Sequence, residues 1–554
     1  MEKIWLSSYP EGVPENITQP PFKSLKEMID LCLVKYSDRI AYSNMGATLT
    51  FKQLDEMSLK FACYLQQDLK LKKGDRVAIM LPNILQYPVA LCGILRAGLV
   101  VVNVNPLYTP RELKHQLSDS GAQSIIILDN FAHVLAEIID ETAIEQVILT
   151  KVGDLLNFPK NHIINFVLKY IKKVIPEYKL NSVVSFQDTL DKKDHQTLDP
   201  VDVSEDDIAF LQYTGGTTGL SKGAMITHRN MVFNLHQSKA WQGNLFDDVE
   251  VIIAITALPL YHIFSLQSNC LAMMLDGGEN VLITNPRDFP AFVKELKKHK
   301  FVYITGVNTL YASLLNTPGF DEIDFSQLRF TVGGGMAIQK AVSKDWEKIT
   351  GQPILQAYGL TETSPAAVVN PINITEFSGS IGLPIPSTEI SIRDDQGQNL
   401  SVGDLGEICI RGPQVMLGYW EQPDETAKVM LPDNWFKTGD IGRMDEQGYI
   451  YIEDRKKDMI LVSGFNVYPN EIEGVVVELD GVLEAAAIGI ENQQSGEVVK
   501  LFVVKKDPKV TKDEIYAHCK KNLTAYKMPK EIEFRDDLPK TNVGKILRRE
   551  LREE

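Results

Sequence analysis

Short apolar runs alternate with helical stretches along much of the chain, and this alternation limits the fold more than any other sequence feature. The apolar runs lie at residues 77–81, 99–102, 124–128, 301–305, 328–332 and 353–356, and helical patterns at 84–97 and 110–118 separate the first three. Apolar runs joined by helices are typical of parallel strands with crossover connections, because such strands are covered on both faces. We therefore predict an α/β fold.

The pattern changes twice towards the C-terminus. Short strands with Gly and Pro turns, including Gly406–Arg411, occupy residues 379–443 and predict a small β-barrel-like subdomain. The charged run at 454–458 follows, and after it comes a compact α+β segment. We predict a large N-terminal domain, residues 1–453, of parallel-rich sheets with flanking helices plus the β-barrel-like subdomain. Residues 454–554 form the smaller α+β domain in this prediction.

Charge and cysteine usage exclude several functional classes. The chain has 57 basic and 73 acidic residues among 554, a formal net charge of −16, which argues against a broad nucleic-acid-binding surface. Its six cysteines include no C-x-x-C pair. The sequence therefore predicts neither a disulfide scaffold nor a zinc knuckle, and it indicates a reducing compartment.

Targeting and membrane-spanning signals are weak. Residues 1–21 contain acidic residues and prolines instead of a basic start followed by an apolar block, so we expect a cytoplasmic protein. Residues 251–275 lack Asp, Glu, Lys and Arg and would be long enough to span a bilayer. However, Pro259, His262 and several other polar residues lie near the middle, which favours a buried strand, loop and helix.

Residues 162–178 form a basic amphipathic pattern in an otherwise acidic protein. Ile163, Val167, Tyr170 and Val174 are spaced four, three and four residues apart, which predicts a helix with one apolar stripe. The lysines off that stripe are Lys169, Lys172 and Lys173. Two interpretations stay open: a surface helix packed on its own domain, or a lip that rests on the anionic inner face of a membrane.

The most informative stretch covers residues 213–223 and follows an apolar pair at 210–211. Glycines let backbone N–H groups converge on phosphate oxygens, threonine hydroxyls add donors, and a lysine adds charge. The stretch differs from the common P-loop, because no Gly-Lys-Ser/Thr follows at the required spacing, and G-x-G-x-x-G is absent from the chain. The predicted phosphate-binding residues are Thr214, Gly215, Gly216, Thr217, Thr218, Gly219 and Lys222.

This loop resembles the phosphate loop of the adenylate-forming enzymes, the family of acyl-CoA synthetases, adenylation domains and luciferases. Further motifs of that family follow in order at residues 259–262, 333–335, 358–362, 438–440, 454–458 and 539–545. Residues 103–111 and 462–471 are similar to the bacterial long-chain fatty-acid–CoA ligases in particular. The ordered set makes the resemblance specific, whereas any single motif would not.

The resemblance implies a two-step reaction that uses ATP, Mg²⁺ and coenzyme A. A carboxylate attacks the α-phosphate of ATP to give an acyl-adenylate and pyrophosphate, and a thiol then displaces AMP. Because the first step brings two anions together, it needs cationic and hydrogen-bonding groups. Lys545 matches the catalytic lysine that bridges both anions. His262 matches a gating or carboxylate-facing residue, and it is not assigned as a general base because a fatty acid is already ionised near neutrality.

The resemblance also assigns the nucleotide and metal positions. Glu362 and Thr214 match the magnesium-associated residues, although a glutamate after a threonine also occurs in helix caps. Asp440 matches the residue that accepts the ribose hydroxyls, and a turn aspartate is its structural alternative. Tyr358 would stack on adenine. The other predicted nucleotide-binding positions are Gly333, Gly334, Gly335, Gln356, Gly359, Leu360, Thr361, Arg455 and Lys457.

The second step requires Lys545 to withdraw so that a thiol can reach the acyl carbonyl. In the family, the C-terminal domain rotates about a hinge, and the matching residue here is Asp454. Rotation would present Gly464 and its neighbours to the pantetheine arm of coenzyme A, since glycine permits close backbone approach. The smaller domain is therefore expected to be mobile.

The residues around His262 favour an apolar acid. No Asp or Glu occurs between residues 251 and 275, and an uncharged wall suits an apolar acyl chain. The preference for a long-chain fatty acid is what the resemblance to the bacterial long-chain ligases implies. Leu266 occupies the position where some relatives have a gating Trp, so any gate must differ. A medium-chain or aryl-acid CoA ligase and a fatty acyl-AMP ligase that loads a carrier protein stay open as alternatives. The oligomeric state also stays open, with a homodimer among the alternatives.

Overall fold

The structure is a computed structural model that describes residues 3–192, 197–214, 221–463, 465–492, 495–541 and 544–553. Predicted site residues Gly215, Gly216, Thr217, Thr218, Gly219 and Gly464 lie outside the described residues.

The strands of the described residues are, in chain order, β1 (Ile40–Asn44), β2 (Ala47–Thr50), β3 (Arg76–Met80), β4 (Val100–Asn103), β5 (Ser124–Leu128), β6 (Gln146–Thr150), β7 (Val183–Ser185), β8 (Ile208–Tyr213), β9 (Gly223–Thr227), β10 (Ile253–Thr256), β11 (Glu279–Leu282), β12 (Tyr303–Gly306), β13 (Phe330–Gly334), β14 (Ile354–Gly359), β15 (Ala366–Val369), β16 (Leu383–Pro384), β17 (Glu389–Arg393), β18 (Gly406–Arg411), β19 (Met430–Leu431), β20 (Trp435–Met444), β21 (Ile450–Arg455), β22 (Ile460–Val462), β23 (Phe465–Val467), β24 (Val482–Asn492), β25 (Gly496–Lys505) and β26 (Glu531–Arg535).

The α-helices are α1 (Leu25–Lys35), α2 (Phe51–Cys63), α3 (Gln86–Arg96), α4 (Pro110–Ser120), α5 (Ala132–Ala136), α6 (Lys160–Phe166), α7 (Phe186–Leu190), α8 (His228–Gln242), α9 (Ile263–Ser265), α10 (Ala272–Asp276), α11 (Phe289–Leu296), α12 (Asn308–Leu315), α13 (Lys340–Thr350), α14 (Pro423–Val429), α15 (Pro469–Val477), α16 (Lys512–Asn522) and α17 (Arg548–Glu553). A π-helical segment, Val167–Ile171, continues α6, and another, Leu266–Leu271, joins α9 to α10.

Two parallel-rich sheets form the large domain, as predicted. The seven-stranded sheet has the order β7-β6-β5-β3-β4-β8-β9, and only its β8–β9 pair is antiparallel. The nine-stranded sheet has the order β16-β15-β14-β13-β12-β10-β11-β1-β2, with a parallel centre and antiparallel edges. Every residue of β4 and β5 is buried, which explains their continuous apolar runs. The α/β prediction is confirmed.

Antiparallel strands β17 to β21 form the β-rich subdomain, with the order β17-β18-β20-β19 and β21 paired to β20. Strand β21 runs from Ile450 to Arg455, so position 453/454, the predicted domain boundary, lies within this strand. Its last residues still pair with the large domain, because Asp440 lies opposite Arg455 and Ile441 lies opposite Asp454.

The small domain contains a separate five-stranded sheet with the order β23-β22-β25-β24 and β26 parallel to β25. Helices α15 and α16 pack on this sheet through a core that includes Ile472, Val476, Ile515 and Leu501. This arrangement of strands and helices agrees with the predicted α+β domain.

The segment at residues 251–275 forms β10, a loop, and the helical run from α9 to α10, as expected for a buried strand, loop and helix. Across the described parts of the chain, no helix combines the length and apolar character needed to cross a bilayer.

The basic amphipathic helix is shorter than predicted. Helical structure begins at Lys160 and ends at Ile171, and Lys173 has a φ of 51°. The prediction of a helix to residue 178 is therefore wrong at its C-terminal end. The predicted stripe also does not pack inwards, since Ile163 is 55% exposed and Tyr170 is 58% exposed. From Val167 to Ile171 the backbone hydrogen bonds join residues five apart instead of four, so the later residues of the stripe leave the register predicted from 3.6 residues per turn.

Candidate active site

One cavity of about 1740 Å³ is lined by residues of both domains. A typical small-molecule pocket measures about 300 to 1,000 Å³, so this cavity has room for more than one substrate. The predicted site residues that line it are Thr214, Lys222, His262, Gly333, Gly334, Gly335, Gln356, Tyr358, Gly359, Leu360, Thr361, Glu362, Asp440, Asp454, Arg455, Lys457 and Lys545. The fold thus brings together every predicted site residue that the structure describes.

Thr214 and Lys222 lie at the two ends of the predicted phosphate loop. Strand β8 ends one residue before Thr214, and β9 begins one residue after Lys222. The Thr214 amide donates to the Lys222 carbonyl oxygen at 3.0 Å, which closes the base of the loop. The Lys222 ammonium forms an ion pair with Glu425 and lies 5.0 Å from the centre of the Tyr419 ring. A carboxylate therefore neutralises this lysine within the cavity.

Glu362 is a buried carboxylate in the short 3-10 turn Thr361–Thr363. The Tyr419 hydroxyl donates to its Oε1 at 2.7 Å. Burial raises the pKa of Glu362, and the hydrogen bond from Tyr419 opposes that rise. Among the residues that the structure describes, no group of three or more His, Cys, Asp or Glu side chains is arranged to hold a metal ion.

Asp440 is anchored from two sides. The Tyr358 hydroxyl donates to its Oδ2 at 2.7 Å, and Arg455 Nε lies 3.3 Å from its Oδ1. Strand pairing places Asp440 opposite Arg455, so backbone register sets this contact. Burial and the charge of Asp440 together raise the pKa of Tyr358, which keeps the phenol neutral.

The glycine triplet at the end of β13 is required by the protein's own packing. A Cβ atom on Gly333 would lie 2.6 Å from Ile338 Cδ1, and one on Gly334 would lie 2.8 Å from the Ala357 carbonyl oxygen. Gly335 has a φ of +75°, which disfavours other residues. The triplet therefore brings bare backbone to the cavity wall.

Lys545 extends from the small domain into the cavity on a tight loop. The Lys545 amide donates to Thr541 Oγ1 at 3.0 Å, and the Thr541 amide donates to the Lys545 carbonyl oxygen at 2.7 Å. Burial, and then the neighbouring charge of Arg455, lower the pKa of Lys545 to about 7. Without an anion beside it, this ammonium is poorly stabilised.

His262 begins the helical run α9–α10, and its Nδ1 accepts from the Phe264 amide at 3.4 Å. Burial and the charge of Lys545 lower the pKa of His262 to about 4. The imidazole is therefore neutral at physiological pH. In this neutral form, His262 can donate or accept a hydrogen bond but brings no positive charge to the cavity.

Asp454 is buried at the junction of the two domains. Its carboxylate accepts from the Arg455 and Asn470 amides at 2.7 and 2.8 Å, and Arg548 Nη1 lies 3.1 Å from it. Burial raises the pKa of Asp454 to about 6, and the charge of Arg548 opposes that rise. These contacts hold the last residues of β21 against the small domain.

Comparison with known proteins assigns the chain to a family. A family model described as "AMP-binding enzyme" matches residues 32–420, and one described as "AMP-binding enzyme C-terminal domain" matches residues 471–545. The chain belongs to the AMP-binding enzyme family. The predicted resemblance is confirmed. The motifs at 213–223, 259–262, 333–335, 358–362 and 539–545 of this AMP-binding enzyme lie within the matched residues, and those at 438–440 and 454–458 lie between the two matches.

Curated relatives of this AMP-binding enzyme match it along its full length. The long-chain-fatty-acid–CoA ligase of Salmonella typhimurium is 55% identical, and that of Yersinia pestis is 56% identical; each match covers 100% of this chain and 98% of the relative. A crystal structure of the anthranilate CoA ligase AuaEII with anthranoyl-AMP superposes with a TM-score of 0.84 over 96% of this chain and 97% of that one. Its 24% identity supports the fold alone.

Uncharged side chains form part of the cavity wall of this AMP-binding enzyme. Gln267 Nε2 donates to Ser238 Oγ at 3.0 Å, and the Tyr303 and Phe330 rings stack at 5.4 Å. Other uncharged lining residues are Trp241, Phe264, Ala272, Val369, Phe377 and Ile381. Such a surface favours an apolar group, because a charged substrate group there would lose its hydration without gaining a partner.

Sequence reasoning missed Tyr419 and Glu425, which contact Glu362 and Lys222 respectively. Each pair is distant in sequence, by 57 residues for Tyr419 and Glu362 and by 203 for Lys222 and Glu425. Their positions in a short Gly-Tyr-Trp run and in helix α14 carry no local signal for a nucleotide site. Only the tertiary fold identifies them.

Proposed function

We infer that this chain is a long-chain-fatty-acid–CoA ligase. It activates a fatty acid with ATP to form an acyl-adenylate and pyrophosphate, and then transfers the acyl group to coenzyme A and releases AMP. The observation that carries this inference is the small-domain Lys545 inside the large-domain cavity, in a chain that matches curated ligases of this name over its full length. A cation placed inside the cavity suits adenylate formation, because that step brings a carboxylate and a phosphate together and needs positive charge where they meet.

Lys545 is proposed to bridge the fatty-acid carboxylate and the α-phosphate. Two anions beside the ammonium would raise its pKa from the depressed value of about 7, so substrate binding itself recharges the lysine. His262 is proposed to face the carboxylate as a neutral donor or gate, which its low pKa supports.

The remaining cavity residues are proposed to hold the nucleotide. Asp440 would accept the ribose hydroxyls, and Tyr358 would support the adenine. Arg455 and Lys457 would contact ribose and phosphate. The phosphates of ATP would bind to the loop from Thr214 to Lys222. Lys222 would then leave its ion pair with Glu425 and pair with a phosphate. The other proposed contacts are Gly333, Gly334, Gly335, Gln356, Gly359, Leu360 and Thr361.

Mg²⁺ is proposed to bind beside Glu362 and Thr214. Both residues line the cavity, and a carboxylate with a hydroxyl is the hard-oxygen set that this ion accepts while it keeps most of its waters. When bound, the ion would neutralise charge on the phosphates.

Coenzyme A is proposed to enter after the small domain, residues 454–554, rotates about Asp454. Gly464, whose structure lies outside the described residues, would then face the pantetheine arm. Burial of Asp454 and its three contacts, with the Arg455 and Asn470 amides and with Arg548, support a pivot at this point, because they tie the end of β21 to the moving domain.

We also propose that the protein is cytoplasmic and makes peripheral contact with the anionic inner membrane face. Phe158 is 81% exposed beside the exposed residues Ile163, Phe166, Tyr170 and Ile171. Three exposed lysines lie along the same stretch of chain. Lys169 comes before Tyr170, and Lys172 and Lys173 come directly after Ile171. Apolar side chains with adjacent lysines are the combination that binds an anionic interface. A homodimer stays a prediction.

A panel of acids tests the proposed substrate class. Purified protein with ATP, Mg²⁺ and free coenzyme A should convert palmitate and oleate faster than octanoate or coumarate, with acyl-CoA measured by mass spectrometry. Preference for octanoate or coumarate would favour the medium-chain or aryl-acid alternative. Adenylate formation without acyl-CoA would favour a ligase that loads a carrier protein.

A further inference from the structure

A contact between the two domains lies directly beside Lys545 and has no role in the account above. Thr309 lies in the first turn of α12, and its Oγ1 donates to the carbonyl oxygen of Gly544 at 3.3 Å. Gly544 immediately precedes Lys545, and 235 positions separate the two bonded residues. The hydrogen bond therefore joins a helix of the large domain to the loop that carries the reactive ammonium.

Backbone contacts tie Gly544 and Lys545 to the small domain on the other side of the contact. The Gly544 amide donates to the Thr541 carbonyl oxygen at 2.9 Å, beside the two bonds between Thr541 and Lys545. Lys540 and Ile546 form an antiparallel bridge across the base of the loop, and Lys540 Nζ lies 2.8 Å from Glu484 Oε2 of β24. A shift of Gly544 would therefore carry Lys545 with it.

The large-domain side is also fixed. Asn308 Oδ1 accepts from the Gln339 amide at 2.9 Å, and the Tyr311 hydroxyl donates to the Val332 carbonyl oxygen of β13 at 2.7 Å. The start of α12 is thus tied to the strand that ends in the glycine triplet. These hydrogen bonds fix the position of the helix turn that carries the Thr309 hydroxyl.

The two surfaces approach closely. Gly544 has a φ of +81°, and a Cβ atom on it would lie 2.5 Å from Thr309 Oγ1 and 3.3 Å from Val307 Cγ2. Two non-bonded heavy atoms closer than about 3 Å repel each other. Any larger residue at 544 would therefore push the loop away from Thr309. Backbone conformation and interdomain packing both require glycine here.

We propose that Thr309 is a positioning residue that holds the Lys545 loop in the adenylate-forming arrangement. The inference rests on the proposed function of Lys545. Thr309 itself contacts neither reacting group and acts only through Gly544. Because its hydrogen bond spans the two domains, rotation of the small domain breaks it. Thr309 therefore favours the first half-reaction over the second.

The Thr309→Val variant tests this proposal, because valine keeps the branched shape and removes the donor. The loss of one neutral hydrogen bond should lower the rate of oleate-dependent pyrophosphate release about fivefold. Thioester formation from synthetic oleoyl-AMP and coenzyme A should stay unchanged or become faster. Thr309→Ser, which restores the donor, should recover pyrophosphate release to within about twofold of the unmodified protein.

Thr317→Val is the matched control. Thr317 is also half-buried and follows the same helix, but its hydroxyl donates to the Ser313 carbonyl oxygen at 2.8 Å, within one segment of the large domain. This control should leave the ratio of the two half-reaction rates unchanged. Thermal melting of each variant separates a folding defect, which lowers both rates together, from a change in that ratio.

A double-mutant cycle tests whether Thr309 acts through Gly544. Gly544→Ala should reduce pyrophosphate release more than Thr309→Val does, and its effect should be smaller in a Thr309→Ala background, where Oγ1 is absent. Equal loss of both half-reactions in Thr309→Val, or fully additive effects in the cycle, would overturn the proposal. Pyrophosphate release by the unmodified protein tests the proposed function separately. If oleate and ATP release no pyrophosphate, the proposed function itself is wrong.

Discussion

Lys545 illustrates how single residues are prepared for reaction in this protein. Its side chain is half-buried in the cavity and lies near Arg455, and burial together with that charge lowers its pKa to about 7. The same surroundings lower the pKa of His262 to about 4. A cation in such a weakly hydrated site is stabilised most when two anions bind beside it. A carboxylate that attacks a phosphate brings two anions to the same place.

Removal of the Lys545 ammonium should separate the two half-reactions. We expect Lys545→Ala to lower adenylate formation at least about a hundredfold, because a preorganised cation is lost from the transition state. Thioester formation from synthetic acyl-AMP should keep most of its rate, since Lys545 withdraws in that step. Pyrophosphate release and acyl-CoA formation measure the two steps.

Lys520→Ala is the control for Lys545→Ala, because Lys520 is an exposed lysine of α16 in the same domain and does not line the cavity. It should leave both rates near those of the unmodified protein. Equal losses in both steps for Lys545→Ala would show that its proposed role is wrong.

The depressed pKa of Lys545 also predicts a pH dependence. The free enzyme should lose the Lys545 charge as pH rises through about 7, so kcat/KM for adenylate formation should decline above that pH. In the bound complex the carboxylate and phosphate raise the pKa, and the decline in kcat should therefore shift to higher pH. The Asp440 carboxylate opposes the depression, whereas Arg455 and Arg548 add to it.

Pyrophosphate release measured between pH 6 and pH 10 checks this prediction, and thioester formation from acyl-AMP is its internal control. The thioester step should lack the decline attributed to Lys545. A kcat/KM profile for adenylate formation that stays flat up to pH 9 would contradict the depressed pKa.

At the scale of elements, the strand pattern was predictable because burial on both faces leaves a direct mark on sequence. Strand β18 has the predicted bounds Gly406–Arg411, and β5 covers the predicted run at 124–128. The end of the basic helix was not predictable from periodicity. Its π turn, Val167–Ile171, changes the register, and the inward-packing residues are Ile164 and Leu168 instead of Ile163 and Tyr170.

The site residues also divide into those that could be predicted from sequence and those that could not. Residues within ordered motifs, such as Asp440 and Lys545, could be proposed from resemblance to a family. Partners supplied by other elements could not, because Tyr419, Glu425 and Thr309 reach the cavity residues only through the tertiary fold.

The basic helix should bind anionic membranes through its exposed surface. Replacement of Lys169, Lys172 and Lys173 with Glu should weaken co-sedimentation with vesicles that contain phosphatidylglycerol at least about tenfold, since each lysine near such a surface contributes about 1 kcal/mol. Vesicles of neutral phosphatidylcholine should bind both proteins weakly.

The matched control replaces Lys512, Lys520 and Lys521, exposed lysines of α16, with Glu and so makes the same change in net charge. It should leave vesicle binding near that of the unmodified protein. Equal effects of the two triple replacements would indicate a general charge effect, and no effect of the first would return the helix to a purely structural role.

At the scale of the whole molecule, the cavity is complete only when both domains contribute. The large domain supplies Glu362, Asp440 and His262, and the small domain supplies Lys545. This division allows one cavity to serve two successive reactions, provided that the small domain can leave after the first. The contacts of Asp454 lie where such a movement would begin. The hydrogen bond of Thr309 lies where the movement would be restrained.

Oxygen tracing shows whether the fatty-acid carboxylate attacks the α-phosphate of ATP. Oleate labelled with ¹⁸O in both carboxylate oxygens is incubated with the protein, ATP, Mg²⁺ and coenzyme A, and the nucleotide products are analysed by mass spectrometry. Attack of the carboxylate on the α-phosphate, followed by thiol displacement, places one ¹⁸O atom in AMP for each oleoyl-CoA formed. The expected products are labelled AMP and unlabelled pyrophosphate. Formation of ADP with labelled phosphate would contradict this mechanism.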